Sequence, residues 1–406
     1  MADCIVVGAG MVGVATALAL QERGQTVVLV DRREPGRETS YGNAGVIQVE
    51  AVEPYAFPRS IGEIASAALG MNAKVRWRAG SMHRWGGPLL QYFAKSAPES
   101  HKRIAIQYSQ LIRRALNDHD PLIEAAGAQA LVRRDGFRQI HRSERSFEAA
   151  AREAERITAS YGVAARLETG KELGAAEPNL RQQLGGAVRW IEAATCADPG
   201  ALVAAYASLF ARRGGTILCA DAGTLVQSGN SWAVTGPNGK VDASMAVVAL
   251  GPWAGEFLRR FDYRIPMFFK RGYHRHFTGA GPDLPMIDAD RGGVISPMRQ
   301  GLRVLTGAEL TWIDSAPSAR QLRQVEKAAG ELFELGEPVA ETAWHGNRPC
   351  MPGMLPIVGA APRHHGLWFN FGHGHQGFTL GPTTAALLAD AITCGRTLPS
   401  ELQLAA

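Results

Sequence analysis

The sequence predicts an α/β fold of two domains: one a parallel sheet begun by a βαβ unit and extended by a β-meander, the other a mixed or antiparallel sheet with helices. Three observations predict it. The chain opens with CIVVGAGMVGVATALALQERGQTVVLVDRR, where a β-branched run, a glycine-rich turn, a helix-like run and a second β-branched run ending at Asp31 follow in order. Further on, TILCADAGTLVQSGNSWAVTGPNGKVDASMAVVALG reads as short strands cut by Gly, Asn and Asp, the sign of a meander. With 406 residues and 46% hydrophobic content, the chain is long enough for more than one core.

Each part of the opening unit has a separate physical purpose. Gly8 allows a tight turn, Gly10 lets a pyrophosphate approach the backbone, and Gly13 allows the helix to pack closely on the strand. The helix that starts there points free amides at phosphates. Asp31 stands where an acid accepts hydrogen bonds from ribose hydroxyls, and its charge repels a 2′-phosphate, which argues against NADP. Glycines also shape ordinary turns, so the argument rests on strand, helix, second strand and terminal acid arriving in sequence. The polar, turn-rich RREPGRETSYGNAGVIQ that follows is a loop able to wrap a cofactor.

Composition excludes several classes. The net charge of +5 comes from 43 basic and 38 acidic residues scattered along the chain, a pattern that implies no nucleic-acid partner. Basic stretches at 74–78 and 133–145 read as solvated faces, with contact to anionic lipid as the alternative. Cys4, Cys196, Cys219, Cys350 and Cys394 are widely spaced without a CxxC pair, so neither a disulfide framework nor a zinc site is suggested. The first strand starts too close to Met1 for a leader to precede it, and no window approaches about 18 uninterrupted apolar residues. The expectation is a cytoplasmic protein, with any membrane contact peripheral and on the inner face.

The remaining elements follow in order. Residues 55–101 mix short apolar runs with Trp77, Trp85, Tyr92 and Phe93, a lid or interfacial segment or else part of a second core. Helical spacing over 109–126 and 144–161 flanks two strands around Asp135-Gly136. Asp198 is placed to cap a helix with Pro199 at its first position, and a tight turn at Asn238-Gly239 joins two meander strands. The last of these strands runs into Gly251 and can return the chain to the first sheet. Further strands are predicted over 268–277 and 292–307, and a helix over 316–335. Gly372, Gly374, Gly377 and Gly381 leave backbone exposed before a helix predicted over 383–393, whose first amides would stabilise developing negative charge.

Taken together, GAGMVG, Asp31, ETSYGNAG, VVALGPWA, KRGYH, WHGNRPCMPGMLPIVG and FNFGHGHQGFTLGPTTAALLADAI resemble the D-amino-acid oxidase superfamily of FAD enzymes, in look nearest to bacterial D-amino-acid dehydrogenases. The resemblance spans about residues 4–395. It implies a Rossmann-like FAD-binding domain made of residues 1–60, 200–262 and 340–406, and a substrate-binding domain made of 61–199 and 263–339. It further implies FAD held without a covalent bond by Gly8, Gly10, Met11, Val12, Gly13, Asp31, Arg32, Thr39, Ser40, Asn43, Ala44, Gly45 and Gly251. Arg348, Gly374, His375, Gln376, Gly377, Phe378 and Thr379 complete that set.

In the family the arginine of the RP pair meets the substrate carboxylate, a part that falls here to Arg348, and Tyr273 resembles a tyrosine lining the substrate side as a second carboxylate donor. A guanidinium suits the first role because its two parallel donors match a carboxylate. The structural alternatives are an arginine bonded to backbone carbonyls and a tyrosine packed in the second sheet. His274 alternates with Tyr273 and would point the other way. Gly353 stands where the family often has Asp, which alters the turn near the site. His373 and His375 lack a further ligand nearby, so no metal is expected, and Cys350 is offset from the position used for covalent flavin attachment.

The activity so implied is oxidation of the Cα–N bond of a D-amino acid, D-proline and hydroxy-D-proline among the candidates, to an imino acid by hydride transfer to flavin N5. Electrons then pass to a quinone or other acceptor. A glycine- or sarcosine-type oxidase using oxygen, an enzyme of the NAD type, and a flavin-binding subunit of a hetero-oligomeric dehydrogenase remain as alternatives.

Overall fold

Aliphatic runs between turn formers give the first sheet its strands, and Ile5, Val6, Val7, Leu29 and Val30 are fully buried within it. The structure is a computed structural model that describes residues 2–60, 62, 75–77, 80 and 82–405; the rest of the segment 55–101 and the ends of the basic stretch 74–78 lie outside the described residues. Parallel strands run in the order Thr216–Cys219, Val27–Asp31, Ala2–Val7 and Gly239–Val248. The long strand Gly239–Val248 serves two neighbours on its far side. Its first half pairs antiparallel with Ser231–Gly236, and Ala246, Val247 and Val248 pair parallel with Leu367, Trp368 and Phe369. Gly236 faces Gly239, so the connecting turn is Pro237-Asn238, and Gly239 at φ 109° supplies a backbone conformation that other residues resist.

Helices Met11–Glu22, Pro98–Ala126, Pro199–Arg212 and Gly377–Cys394 share one core with this sheet, joined through Val14, Leu18, Ile112, Leu202, Tyr206 and Leu388. Each such side chain contributes about 2 kcal/mol by leaving water. The Asp198 carboxylate accepts from the Ala201 amide at 3.0 Å, and Pro199 takes the first helical position, as their order in the chain predicts.

Among the described residues the second sheet has ten strands and is mixed. Phe268–Phe277 lies near one end between Gly301–Leu305, Ala308–Leu310 and Trp344–Cys350, all antiparallel to it. Trp344–Cys350 therefore belongs to the second sheet although it falls in the 340–406 stretch. The helix Pro98–Ala126 packs on the first sheet's helices although it falls in 61–199. The strands around Asp135-Gly136 exist but do not form a hairpin. Val132–Arg133 joins Ala194–Cys196 in a small three-stranded sheet, whereas Phe137–His141 pairs with Gly186–Trp190 in the large one.

The last helix starts at Gly377, six residues before the predicted start at 383. Pro382 reads as a helix beginning, yet it lies inside, where its missing N–H leaves the Phe378 carbonyl without an intrahelical donor. His119, fully buried on Pro98–Ala126, fills the gap: its Nε2 is 3.0 Å from that carbonyl and its Nδ1 is 3.0 Å from the Tyr206 hydroxyl. A distant imidazole thus keeps the helix intact across its proline.

Candidate active site

Three backbone segments converge above the carboxyl ends of the first sheet's parallel strands. The first is the turn after Ala2–Val7. Gly8 has φ 106°, and a side chain on Gly13 would stand 1.7 Å from the Gly8 carbonyl oxygen, so both positions require glycine for turn and helix contact. Asp31 accepts from the Ala9 amide at 2.7 Å and from the Arg33 amide at 3.0 Å. A carboxylate has about four acceptor positions, so these two bonds fix its orientation while leaving capacity for ribose hydroxyls. The Arg32 guanidinium lies 5.2 Å from the Trp253 ring.

The second segment is the loop 38–45. Ser40 Oγ accepts from the Met11 amide at 3.0 Å, which ties the loop to the start of the first helix. The second sheet holds it from the other side: Arg303 donates through Nη1 to the carbonyls of Tyr41 at 3.0 Å and Asn43 at 2.7 Å, and Ser296 donates to that of Ala44 at 2.9 Å. Gly42 packs where a side chain would strike the Trp344 ring at 1.9 Å.

The third segment is 372–379. The Gly374 amide bonds to the Pro349 carbonyl at 2.8 Å. The amides of Gly377, Phe378 and Thr379 form the first helical turn, which has no intrahelical acceptors. Burial, then the cations of Lys270 and Arg348, push the His375 pKa down to about 3, and burial alone pushes that of His373 to about 3. Both rings are neutral at physiological pH. Gln376 donates to Gln48 Oε1 at 2.8 Å and lies 3.2 Å from His375 Nε2, and the Tyr55 ring stands 5.1 Å from the His375 ring.

One cavity of about 1030 Å³ joins all three. Gly8, Gly10, Met11, Val12, Asp31, Arg32, Thr39, Ser40, Asn43, Ala44 and Gly251 line it, together with Gly374, His375, Gly377, Phe378, Tyr273 and Arg348. Four further expected residues do not line it. Gly13 and Gly45 support the turns behind it, and Gln376 and Thr379 bond to Gln48. Cys350 is buried and is not part of the wall, and burial raises its thiol pKa. Among the described residues, no three His, Cys, Asp or Glu side chains converge as for a metal ion.

Arg348 sits opposite Lys270 across the antiparallel pair, so both side chains leave the same face. Its guanidinium lies over Gly272, donating from Nη1 to the Gly307 carbonyl at 2.7 Å and from Nη2, more weakly at 3.4 Å, to that of Thr306. Two of five N–H groups are so used, which leaves three donors on a residue that lines the cavity. Tyr273 is the residue expected as a second carboxylate donor. It alternates with Lys270 and Gly272 to the opposite face, where its hydroxyl donates to Glu309 at 2.5 Å and accepts from the Ser318 amide at 3.0 Å. His274, on the Arg348 face, instead stacks on Trp344 at 4.8 Å.

Sequence reasoning missed Lys270, Gly272, Arg303 and His119. The motif KRGYH contains the first two, and their role emerges only when the register places them against Arg348. Part of the cavity wall is apolar and aromatic, formed by Phe57, Trp77, Trp85, Leu89, Tyr92 and Leu310. Tyr55, Phe57, Trp77, Trp85 and Tyr92 of 55–93 thus border the cavity, with Trp85 and Tyr92 buried, whereas Phe93 does not line it. Among the described residues no helix is long and apolar enough to cross a membrane.

The donors fit FAD. The glycine turn, Asp31 and the helix-start amides match a dinucleotide's pyrophosphate and ribose, and the cavity extends beyond them to a second set of amides at 374–379. Comparison with known proteins agrees. A family profile described as FAD dependent oxidoreductase matches residues 3–391. A D-amino-acid oxidase of Bradyrhizobium diazoefficiens is 29% identical over 96% of this chain and 94% of its own length. A D-amino acid dehydrogenase of Chromohalobacter salexigens is 28% identical over 95% and 94%. Among solved structures, a glycine oxidase from Geobacillus kaustophilus superposes with a TM-score of 0.73 at 21% identity, covering 100% of this chain and 98% of that one.

Proposed function

The chain belongs to the family of FAD dependent oxidoreductases, and from that premise we propose that it oxidises the Cα–N bond of a D-amino acid to an imino acid. The D-amino-acid relatives support the substrate class, and both extend over nearly the whole chain. The observation that carries the reading is Arg348: a cation on the cavity wall, anchored by two carbonyls, with donors left over and no carboxylate partner among the described residues.

Bound FAD supplies the two-electron acceptor. Gly8, Gly10, Asp31, Ser40 and Asn43 would hold it without a covalent bond, and the backbone at 374–378 would serve its redox-active part. Arg348 takes the substrate carboxylate in a two-point grip, which fixes the direction in which the Cα hydrogen points. The Gly307 and Thr306 carbonyls hold the guanidinium so that little reorientation is lost on binding. His375 stays neutral beside the two cations, so it does not compete for the carboxylate. The aromatic wall keeps water away from the reacting carbon. The first-turn amides of Gly377, Phe378 and Thr379 are placed to stabilise negative charge gained during oxidation. No side-chain base is needed if the amine binds neutral. The acceptor for the electrons is a quinone or another small oxidant.

Replacing Arg348 with Ala tests the assignment. KM should rise at least about 100-fold, from loss of a charge-assisted bidentate contact, while flavin stays bound. Unchanged substrate saturation would remove Arg348 from the role.

A further inference from the structure

Lys270 is a second cation in the same cavity, and the function above does not use it. It lies directly opposite Arg348 on the neighbouring strand, and such pairs have Cβ atoms about 5 Å apart. Its Nζ stands 5.1 Å from the Tyr92 ring centroid and 5.8 Å from that of Phe268, so its stem and head lie on aromatic faces in the apolar part of the cavity. Among the described residues no carboxylate is within ion-pair distance of it. Lys270, Arg348 and His375 all line this one cavity.

Two partly buried cations side by side repel each other, and a single carboxylate neutralises only one of them. Building both into one wall makes sense when the ligand brings two negative groups. The aromatic faces beneath Lys270 hold its ammonium in place without neutralising it, which leaves its charge for an incoming anion.

We propose that Lys270 binds a second acidic group on the substrate, so that the preferred substrate is an acidic D-amino acid whose α-carboxylate meets Arg348 and whose side-chain carboxylate meets Lys270. This rests on the function proposed above. Neutral side chains would lie on the same aromatic wall but leave the ammonium unpaired.

The test uses the FAD-loaded full chain with two pairs of near-isosteric substrates, D-aspartate with D-asparagine and D-glutamate with D-glutamine. The acid of at least one pair should exceed its amide in kcat/KM by about 10- to 100-fold, the range of a hydrogen bond to a charged group. Lys270→Met should collapse that ratio to near one, and Lys270→Arg should preserve it. An acid-to-amide ratio near one in the wild type overturns the proposal. So does an equal fall for acid and amide in Lys270→Met, which would mean that Lys270 shares the α-carboxylate.

A second measurement does not depend on turnover or on a folded variant. Glutarate should perturb the flavin absorption band of the wild type at a concentration at least about 10-fold lower than valerate does. Equal affinities overturn the proposal for Lys270. If no amino acid is oxidised but glutarate still binds preferentially, the failure belongs to the proposed reaction and not to the two-anion site.

Discussion

Gly272 controls where Arg348 can lie, and an alanine there moves it without touching the arginine itself. An added Cβ would stand 2.7 Å from Arg348 Nη2 and 3.1 Å from Cζ. Ordinary contact between such atoms needs about 3.5 Å, so the guanidinium must retreat by roughly 0.8 Å. Gly272 is not among the positive-φ glycines, so alanine fits the strand backbone and the sheet should persist. The retreat stretches the 2.7 Å bond to the Gly307 carbonyl to about 3.5 Å, the edge of hydrogen bonding, and turns the remaining donors out of line with the substrate carboxylate. Losing one charge-assisted bond costs about 1.5–3 kcal/mol, which is about 10- to 100-fold in KM. Steady-state kinetics with a dye acceptor would read KM and kcat, while the flavin content and thermal midpoint of the variant report on the fold. The reasoning predicts raised KM with flavin content and midpoint unchanged. An unchanged KM would refute it, and loss of flavin would mean that Gly272 serves the cofactor and not the arginine.

Three further outcomes follow from the same geometry. Burial holds the folded-state pKa of His119 and His276 at about 4, of His373 and His375 at about 3 and of His274 at about 2, below the unfolded value of about 6.5. The unfolded chain therefore takes up more protons as pH falls, so stability is intact above pH 6.5 and is lost on acidification from there toward pH 4; a thermal midpoint flat across that window would contradict this. His119→Phe removes the partner of the Phe378 carbonyl and the Tyr206 hydroxyl, and should cost about 2–4 kcal/mol in denaturant unfolding, less when combined with Pro382→Ala, which restores a backbone donor. Strict additivity of the two changes would argue against the compensation. Arg303→Met frees the carbonyls of Tyr41 and Asn43 and should weaken FAD retention about 10-fold in an equilibrium dialysis measurement, whereas unchanged retention would show that the loop holds its shape alone.

The βαβ unit, the Asp198-Pro199 helix start and the meander were legible because each depends on neighbours in sequence: a glycine where backbones touch, a cap one residue before a proline, a turn between two alternating runs. The site was less so. Arg348 could be singled out by its resemblance to a known pattern, but the face it shares is decided by register with a strand some 70 residues away, and that same register turns Tyr273 to the other side. Lys270 sits beside Arg271 in one motif, yet one points into the cavity while the other is buried against the carbonyls of Trp312, Ile313 and Ser315. The start of the last helix was misplaced because its compensation for Pro382 comes from His119, which no local rule connects to it. Gly42 carries no local signal of its role, because what requires glycine there is the Trp344 ring about 300 residues on in sequence, which fills its side-chain space.

The most direct test is the visible spectrum of the purified, flavin-loaded protein without oxygen, recorded before and after adding D-alanine, D-proline, cis-4-hydroxy-D-proline, D-aspartate and D-glutamate, each beside its L-enantiomer. The account predicts that the flavin band bleaches with at least one D-amino acid and not with its mirror image. Re-admitting air then separates an oxidase, whose colour returns promptly, from a dehydrogenase that waits for another acceptor. A band that stays yellow with every D-amino acid while the flavin remains bound would contradict the account.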